Sequence, residues 1–163
     1  RIHSPSKLNS MEVSEVMSKL EEWGNPGTKK ILVKHGAREP FFGVKVGDLK
    51  KIVKKVKKDH ELSLALYATG NSDAMYLAGL ISDENKLTKD DLQNWVENAY
   101  WYMLSEYSVA WSAAETPHAE EMADKWIEST EENIAAAGWA TWANIVLITP
   151  DEDLDLDKIK RLM

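Results

Sequence analysis

From Met11 to the end of the chain, apolar residues recur at intervals of three and four, segment after segment. No stretch alternates with the period of two that a half-buried strand needs. Many of the segments open at a capping residue or close at Gly or Pro. Val13, Val16, Met17, Leu20 and Trp23 form one such stripe, stopped by Gly24. Asn25-Pro26 restarts a helix that runs to His35 and Gly36. Leu49, Ile52, Val53 and Val56 form the next stripe, with Asp48 as its expected N-cap. Helices follow over His60–Thr69, from the Asn71-Ser72-Asp73 cap, and from Thr88 with Asp91 as a capping box. Further helices are expected over 100–114, from Thr116-Pro117, over 131–148 behind a Ser129 or Thr130 cap, and over 154–163. Such a chain folds as an all-α protein of stacked helical pairs. Two blocks support a repeat. Leu66–Ala74 and Trp126–Ile134 each lead from a short helix through a polar turn into a helix rich in small residues. They lie about 60 residues apart, beyond the roughly 40–47 of a simple two-helix repeat, so the repeat is degenerate or interrupted.

With 163 residues, the chain can bury one real core, and no apolar run approaches a membrane span. There is no cysteine, so disulfide and thiolate chemistry are excluded; a cytoplasmic monomer is the simple expectation. Residues 1–10 show no periodicity and read as a disordered or vector-derived leader, leaving 11–163 as a single helical domain. His3, His35, His60 and His118 have no metal-ligand spacing, and no phosphate loop or nucleophile elbow is present, so neither metal nor cofactor is expected.

Charge is sorted along the chain. The formal net charge is −7, yet between Lys29 and Lys58 eleven basic residues meet only Glu39 and Asp48. Lys50, Lys51, Lys54, Lys55 and Lys58 fall opposite the apolar stripe of their helix. Few carboxylates are interleaved to offset their repulsion, which points to an anion-binding face; a merely solvated face is the alternative. Aromatic residues concentrate between Tyr100 and Trp111. At helical spacing Tyr100, Met103, Leu104, Tyr107 and Trp111 make one apolar stripe, expected to be core. Tyr102 and Glu106 share another face, where a ring beside a carboxylate suits something flat and cationic.

Two groups of residues resemble the DNA alkylation repair family of HEAT-like-repeat DNA glycosylases. One is Lys29–Ala37 with Phe42–Lys51; the other is Gly70–Ala74 with Tyr76–Leu80. The resemblance runs from about Met11 to the chain end and is most specific over Phe42–Lys51. It implies a curved solenoid whose basic concave face holds double-stranded DNA, and excision of cationic N3- and N7-alkylpurines without flipping the base into a pocket. It implies a Trp and an Asp four residues apart on one helix; those positions fall here on Tyr102 and Glu106, the candidate catalytic pair. Trp101, Arg38 and Lys45 join Lys50, Lys51, Lys54, Lys55 and Lys58 as candidate DNA contacts. Where the family places a DNA-contacting Arg, this chain has Ala135, Ala136, Ala137 and Gly138. The family commonly adds further helical pairs beyond the position of Met163, so either the chain is a C-terminally incomplete fragment or this branch lacks that wall of the cleft. Three readings follow: an alkylpurine glycosylase, a HEAT-like module binding DNA or a protein without catalysis, and a scaffold whose lysines only solvate it.

Overall fold

A computed structural model describes residues 11–163, so the expected leader lies outside the described residues. The helices are α1 (Val13–Trp23), α2 (Pro26–Lys34), α3 (Val46–Val56), α4 (His60–Ala68), α5 (Ser72–Ile81) and α6 (Lys89–Asn98). A π-helical segment, Met103–Val109, runs directly into α7 (Ala110–Glu115). Then come α8 (Ala119–Ile127), α9 (Glu132–Ile148), a 3₁₀ turn at Asp151–Asp153 and α10 (Leu156–Leu162). No strand occurs among the described residues. Helices α4 and α5 form one hairpin and α8 and α9 another. Their second members pack side by side with the π segment and α7 between them, and α3 lies against α5. This inner layer of α3, α5, π–α7 and α9 is backed by α1, α4, α6 and α8, giving the curved solenoid of stacked pairs that the periodicity predicts.

The caps act largely as the sequence implies. Asn25 Oδ1 accepts from the Thr28 N–H at 3.0 Å, and Asn71 Oδ1 from the Ala74 N–H at 3.1 Å. Thr88 and Asp91 exchange reciprocal bonds of 3.0 Å. Four starts differ from expectation. Helix α3 begins at Val46, not after Asp48, because the preceding loop is pinned as far as Val44 and the chain enters the helix at once. Helix α8 begins at Ala119, since Thr116 Oγ1 spends its bond on the His118 N–H in a turn. Helix α9 begins at Glu132, with Ser129 Oγ holding the Glu131 N–H instead of capping the helix. The last helix begins at Leu156, capped by Asp155, after the 3₁₀ turn.

Small residues let the inner layer close up. A Cβ on Gly79 would sit 2.8 Å from Ser108 Cβ, and one on Gly138 would sit 2.6 Å from the Ile127 backbone nitrogen. Backbone therefore meets backbone where α5 crosses the π segment and where α9 crosses α8. Large rings fill the outer layer. Trp95 and Trp126 are 1% exposed, and Tyr67 stacks on Trp95 with ring centroids 4.5 Å apart. Burial pushes the Tyr67 hydroxyl up, so it stays a neutral donor to the Trp95 carbonyl.

The loop between α2 and α3 is apolar because part of it is core: Phe41 and Val44 are buried. Its backbone wraps one carboxylate. Asp73, 5% exposed in the first turn of α5, accepts from the N–H groups of Phe42 (2.6 Å), Gly43 (3.2 Å) and Val44 (2.9 Å). Gly43 makes the turn at φ +78°, and a Cβ there would lie 2.7 Å from the Lys29 backbone. The Gly43 carbonyl accepts from the Asn25 N–H and the Pro40 carbonyl from the Ser72 N–H, both at 3.1 Å. Helix α10 is strapped down by Lys158, whose Nζ reaches Asp124 at 2.9 Å and Glu120 at 3.6 Å and lies 4.9 Å from the Trp142 ring centroid.

Asp73→Ala leaves three backbone donors without an acceptor and is expected to cost on the order of 4 kcal/mol, read as a lower urea midpoint. A loss below about 1 kcal/mol would contradict the clasp. The hydrogen bond that Lys158 donates to Asp124 holds its ammonium above its ordinary range. Its contribution is therefore complete below the unfolded value of about 10.4 and fades only as pH rises through the elevated folded value. Lys158→Met should accordingly expose residues 151–163 to limited proteolysis at neutral pH while the parent resists. Equal cleavage rates would show that the strap holds nothing.

Candidate nucleic-acid interface

The π segment decides which side chains stand out. A π turn closes from i to i+5, so a ring at one position stands over the residue five further on. Tyr102 accordingly meets Tyr107, with centroids 6.3 Å apart at 61°. The contacts continue edge-to-face as a ladder. Trp101 meets Tyr102 at 5.4 Å, Tyr107 meets Trp111 at 5.3 Å, and Trp111 meets Tyr76 of α5 at 5.8 Å. The apolar stripe expected to be core is thus divided. Leu104 is buried, Tyr100, Met103 and Trp111 are half-buried, and Tyr107 is 39% exposed, beside Tyr102 at 37%. Trp101 is the buried foot of the ladder, its indole N–H donated to Ser72 Oγ at 2.9 Å. Burial, with Tyr107 nearby, holds the Tyr76 hydroxyl above its usual range, so that rung is uncharged at neutral pH. Glu106 is half-buried and makes no hydrogen bond or ion pair among the described residues.

The lysines divide into open and engaged sets. Leu49 and Ile52 bury the inward side of α3, leaving Lys50, Lys51, Lys54 and Lys55 exposed, with Lys58 just beyond. Lys51 pairs with Asp48 at 2.8 Å and lies over Trp23, while Lys58 is gripped by Glu84 at 2.5 Å. Arg38 donates to the Tyr100 carbonyl at 3.0 Å, with its guanidinium over the Tyr100 ring. Lys50, Lys54 and Lys55 make no ion pair among the described residues. Lys45 is exposed at the N-terminal end of α3 and borders a narrow groove of about 110 Å³ shared with Tyr76, Trp101 and Met103. That groove joins the lysine helix to the ladder. At the ladder's other end, Trp111 lines a pocket of about 370 Å³ between α5, α7 and α9.

Across the layer, Ala135 and Ala136 are half-buried and Ala137 and Gly138 buried; α9 carries no basic side chain. No group of three metal-ligating side chains occurs among the described residues, and no helix there is long and apolar enough to cross a membrane. Tyr76 and Asp73 have roles that spacing did not indicate. Asn71-Ser72-Asp73 was legible as a cap, but nothing local says that the third residue serves a loop 30 positions away.

Stacked helical pairs with open lysines on one helix and exposed rings on its neighbours define a HEAT-like helical solenoid. The chain belongs to the DNA alkylation repair enzyme family, whose sequence profile matches residues 16–159. Uncharacterised proteins of Listeria innocua and Listeria monocytogenes are 31% and 30% identical to it over 152 residues, each alignment covering 90% of this chain and 67% of the relative. A solved structure superposes with a TM-score of 0.88 at 43% identity, covering 93% of this chain and 64% of that one. It is described as belonging to a new family of proteins related to the HEAT-like repeat DNA glycosylases with affinity for branched DNA structures. The chain spans about two thirds of the length of these relatives.

Proposed function

We propose that this chain binds DNA on its inner layer and favours branched over intact duplex. The observation that carries the reading is the continuity between the open Lys50, Lys54 and Lys55 of α3 and the exposed ring ladder, through the groove that Lys45 borders. Lysines neutralise phosphates without regard to sequence, and exposed rings stack on bases that a branch leaves unpaired. Affinity for branched DNA in a structural relative 43% identical to this chain supports the same reading. Lys45 and Lys51 lie beside the open lysines; Lys58 and Arg38 are held by protein partners and contribute less.

Base excision is the second reading, and Glu106 favours it. A half-buried carboxylate without a partner among the described residues, four positions after an exposed Tyr, is suited to oppose the positive charge that grows on the sugar when a cationic purine leaves. Tyr102 offers such a purine a cation–π face, worth about 0.5–2 kcal/mol. Geometry weighs against efficient chemistry. Glu is a methylene longer than Asp, and a shift near 1 Å costs on the order of 10²-fold. The family's Arg has no counterpart at Ala135–Gly138.

Fluorescence anisotropy on a three-way junction and on the matching intact duplex tests binding. Lys50→Gln with Lys54→Gln should weaken both complexes and lower the salt slope by about 1.8, at ~0.9 per phosphate contact. An unchanged slope would reduce that face to a solvated surface. For excision, the protein is incubated with N7-alkylated duplex and free base is measured. Glu106→Gln should abolish release and leave junction affinity equal or slightly tighter. Full release by Glu106→Gln, or none by the parent, removes the second reading and leaves the first.

A further inference from the structure

Trp111, a rung of the ladder, lines a pocket that excision at Glu106 does not use and that Lys58 alone of the candidate DNA contacts borders. Its volume of about 370 Å³ lies within the range of small-ligand sites. Leu80, Trp111 and Ile148 give it apolar walls, and Lys58, Glu115 and Asn144 give it a polar rim. The rim is rich in acceptors. Asn144 donates its amide nitrogen to the Ala140 carbonyl at 2.8 Å, and its Oδ1 has no hydrogen bond among the described residues. Glu115 adds a carboxylate near Lys58, whose ammonium is bonded first to Glu84 at 2.5 Å. The pocket is therefore unsuited to a phosphate and suited to a flat group that presents N–H donors along one edge.

We propose that this pocket receives a single unpaired nucleobase from a DNA branch point, with its amino-bearing edge toward Glu115 and Asn144 and its ring against Trp111. The inference rests on the branched-DNA reading above and adds a base preference to it. A branch supplies a base that is already unstacked, so no flipping cost opposes entry. Guanine presents an N1–H beside its N2 amino group, two adjacent donors that match a carboxylate. Thymine presents one N–H between two carbonyl oxygens, which face the acceptors of the rim unfavourably. The lysines of α3 hold the flanking strand, and the ladder from Tyr102 to Trp111 leads from them to the pocket mouth.

The test uses the full chain and three-way junctions that differ only in one unpaired branch-point base, guanine or thymine. The parent should bind the guanine junction about tenfold more tightly. Glu115 is exposed, so Glu115→Gln folds normally; it should bring the two junctions within about twofold of each other while intact duplex binds as before. Trp111→Leu should lose about tenfold on the junction alone. A 2-aminopurine at the branch point should be quenched when the parent binds and stay bright with Trp111→Leu. A parent that binds junctions but treats guanine and thymine alike, with no quenching, overturns the inference and leaves the DNA-binding reading intact. A parent that binds no DNA overturns both. Displacement of the junction by micromolar deoxyguanosine monophosphate would overturn the strand as the source of the base.

Discussion

One buried carboxylate sets the arrangement of the inner layer. Asp73 lies at the positive end of α5 and takes three backbone N–H groups from the loop that precedes α3. Three consecutive N–H groups can converge only if the chain turns at Gly43, and that turn places the loop against α2 and the end of α1. The clasp thus fixes the approach of α3, and with it the direction in which the lysines point, relative to the helix that carries Tyr76. A loop this apolar would otherwise be a hazard; here Phe41 and Val44 enter the core because the backbone between them is satisfied. The stretch Phe42–Lys51, the most specific part of the family resemblance, is therefore mainly structural up to Val44 and carries exposed lysines from Lys45 onward.

Helix existence was legible throughout, since caps and period-3.6 stripes are local. Starts were less so. Thr116 and Ser129 are good capping residues, yet both spend their oxygens on a turn N–H one position before the helix. The larger miss is the π segment. Residues 100–114 read as an ordinary helix, and on that geometry Tyr107 and Trp111 belong to the buried stripe. The close approach of α5 at Gly79 offers a reason the helix is wider here: Ser108 must sit against α5 backbone, and one extra residue per turn brings it there. A tertiary contact 29 residues away leaves no mark on the periodicity of the segment itself. The resemblance singled out Tyr102, just before that segment, and Glu106 within it, but did not indicate the ring that Tyr102 faces.

That change of partner bears on chemistry. With Tyr102 over Tyr107, the two exposed rings form a continuous aromatic surface instead of one ring paired with one carboxylate. An extended aromatic surface favours stacking, which tolerates any base and needs no charge on it. Catalysis needs one acid held within a fraction of an ångström, and Glu106 lacks the hydrogen-bonded support that would hold it so. On the proposed reading, Glu106 and Tyr102 at the π segment suit adaptable contact better than precise electrostatics.

The distribution of charge between layers completes the case for binding on the inner side. Glu15, Glu21 and Glu22 of α1, Asp90 and Glu97 of α6, and Glu120, Glu121 and Glu128 at α8 are exposed on the backing layer. The inner helices carry far fewer acids: α5 has only the buried Asp73, and the π segment with α7 has only Glu106 and Glu115. A polyanion approaching this protein is repelled from the backing helices and drawn to α3, which orients it before any contact forms. The lysines of α3 repel one another at a cost of about 0.2–0.5 kcal/mol per neighbouring pair. Interleaved glutamates would remove that cost, as they do on most exposed helices, but would also cancel the field. Asp48 against Lys51 and Glu84 against Lys58 are the acids that meet this face among the described residues, and Lys50, Lys54 and Lys55 keep their charge open toward a polyanion.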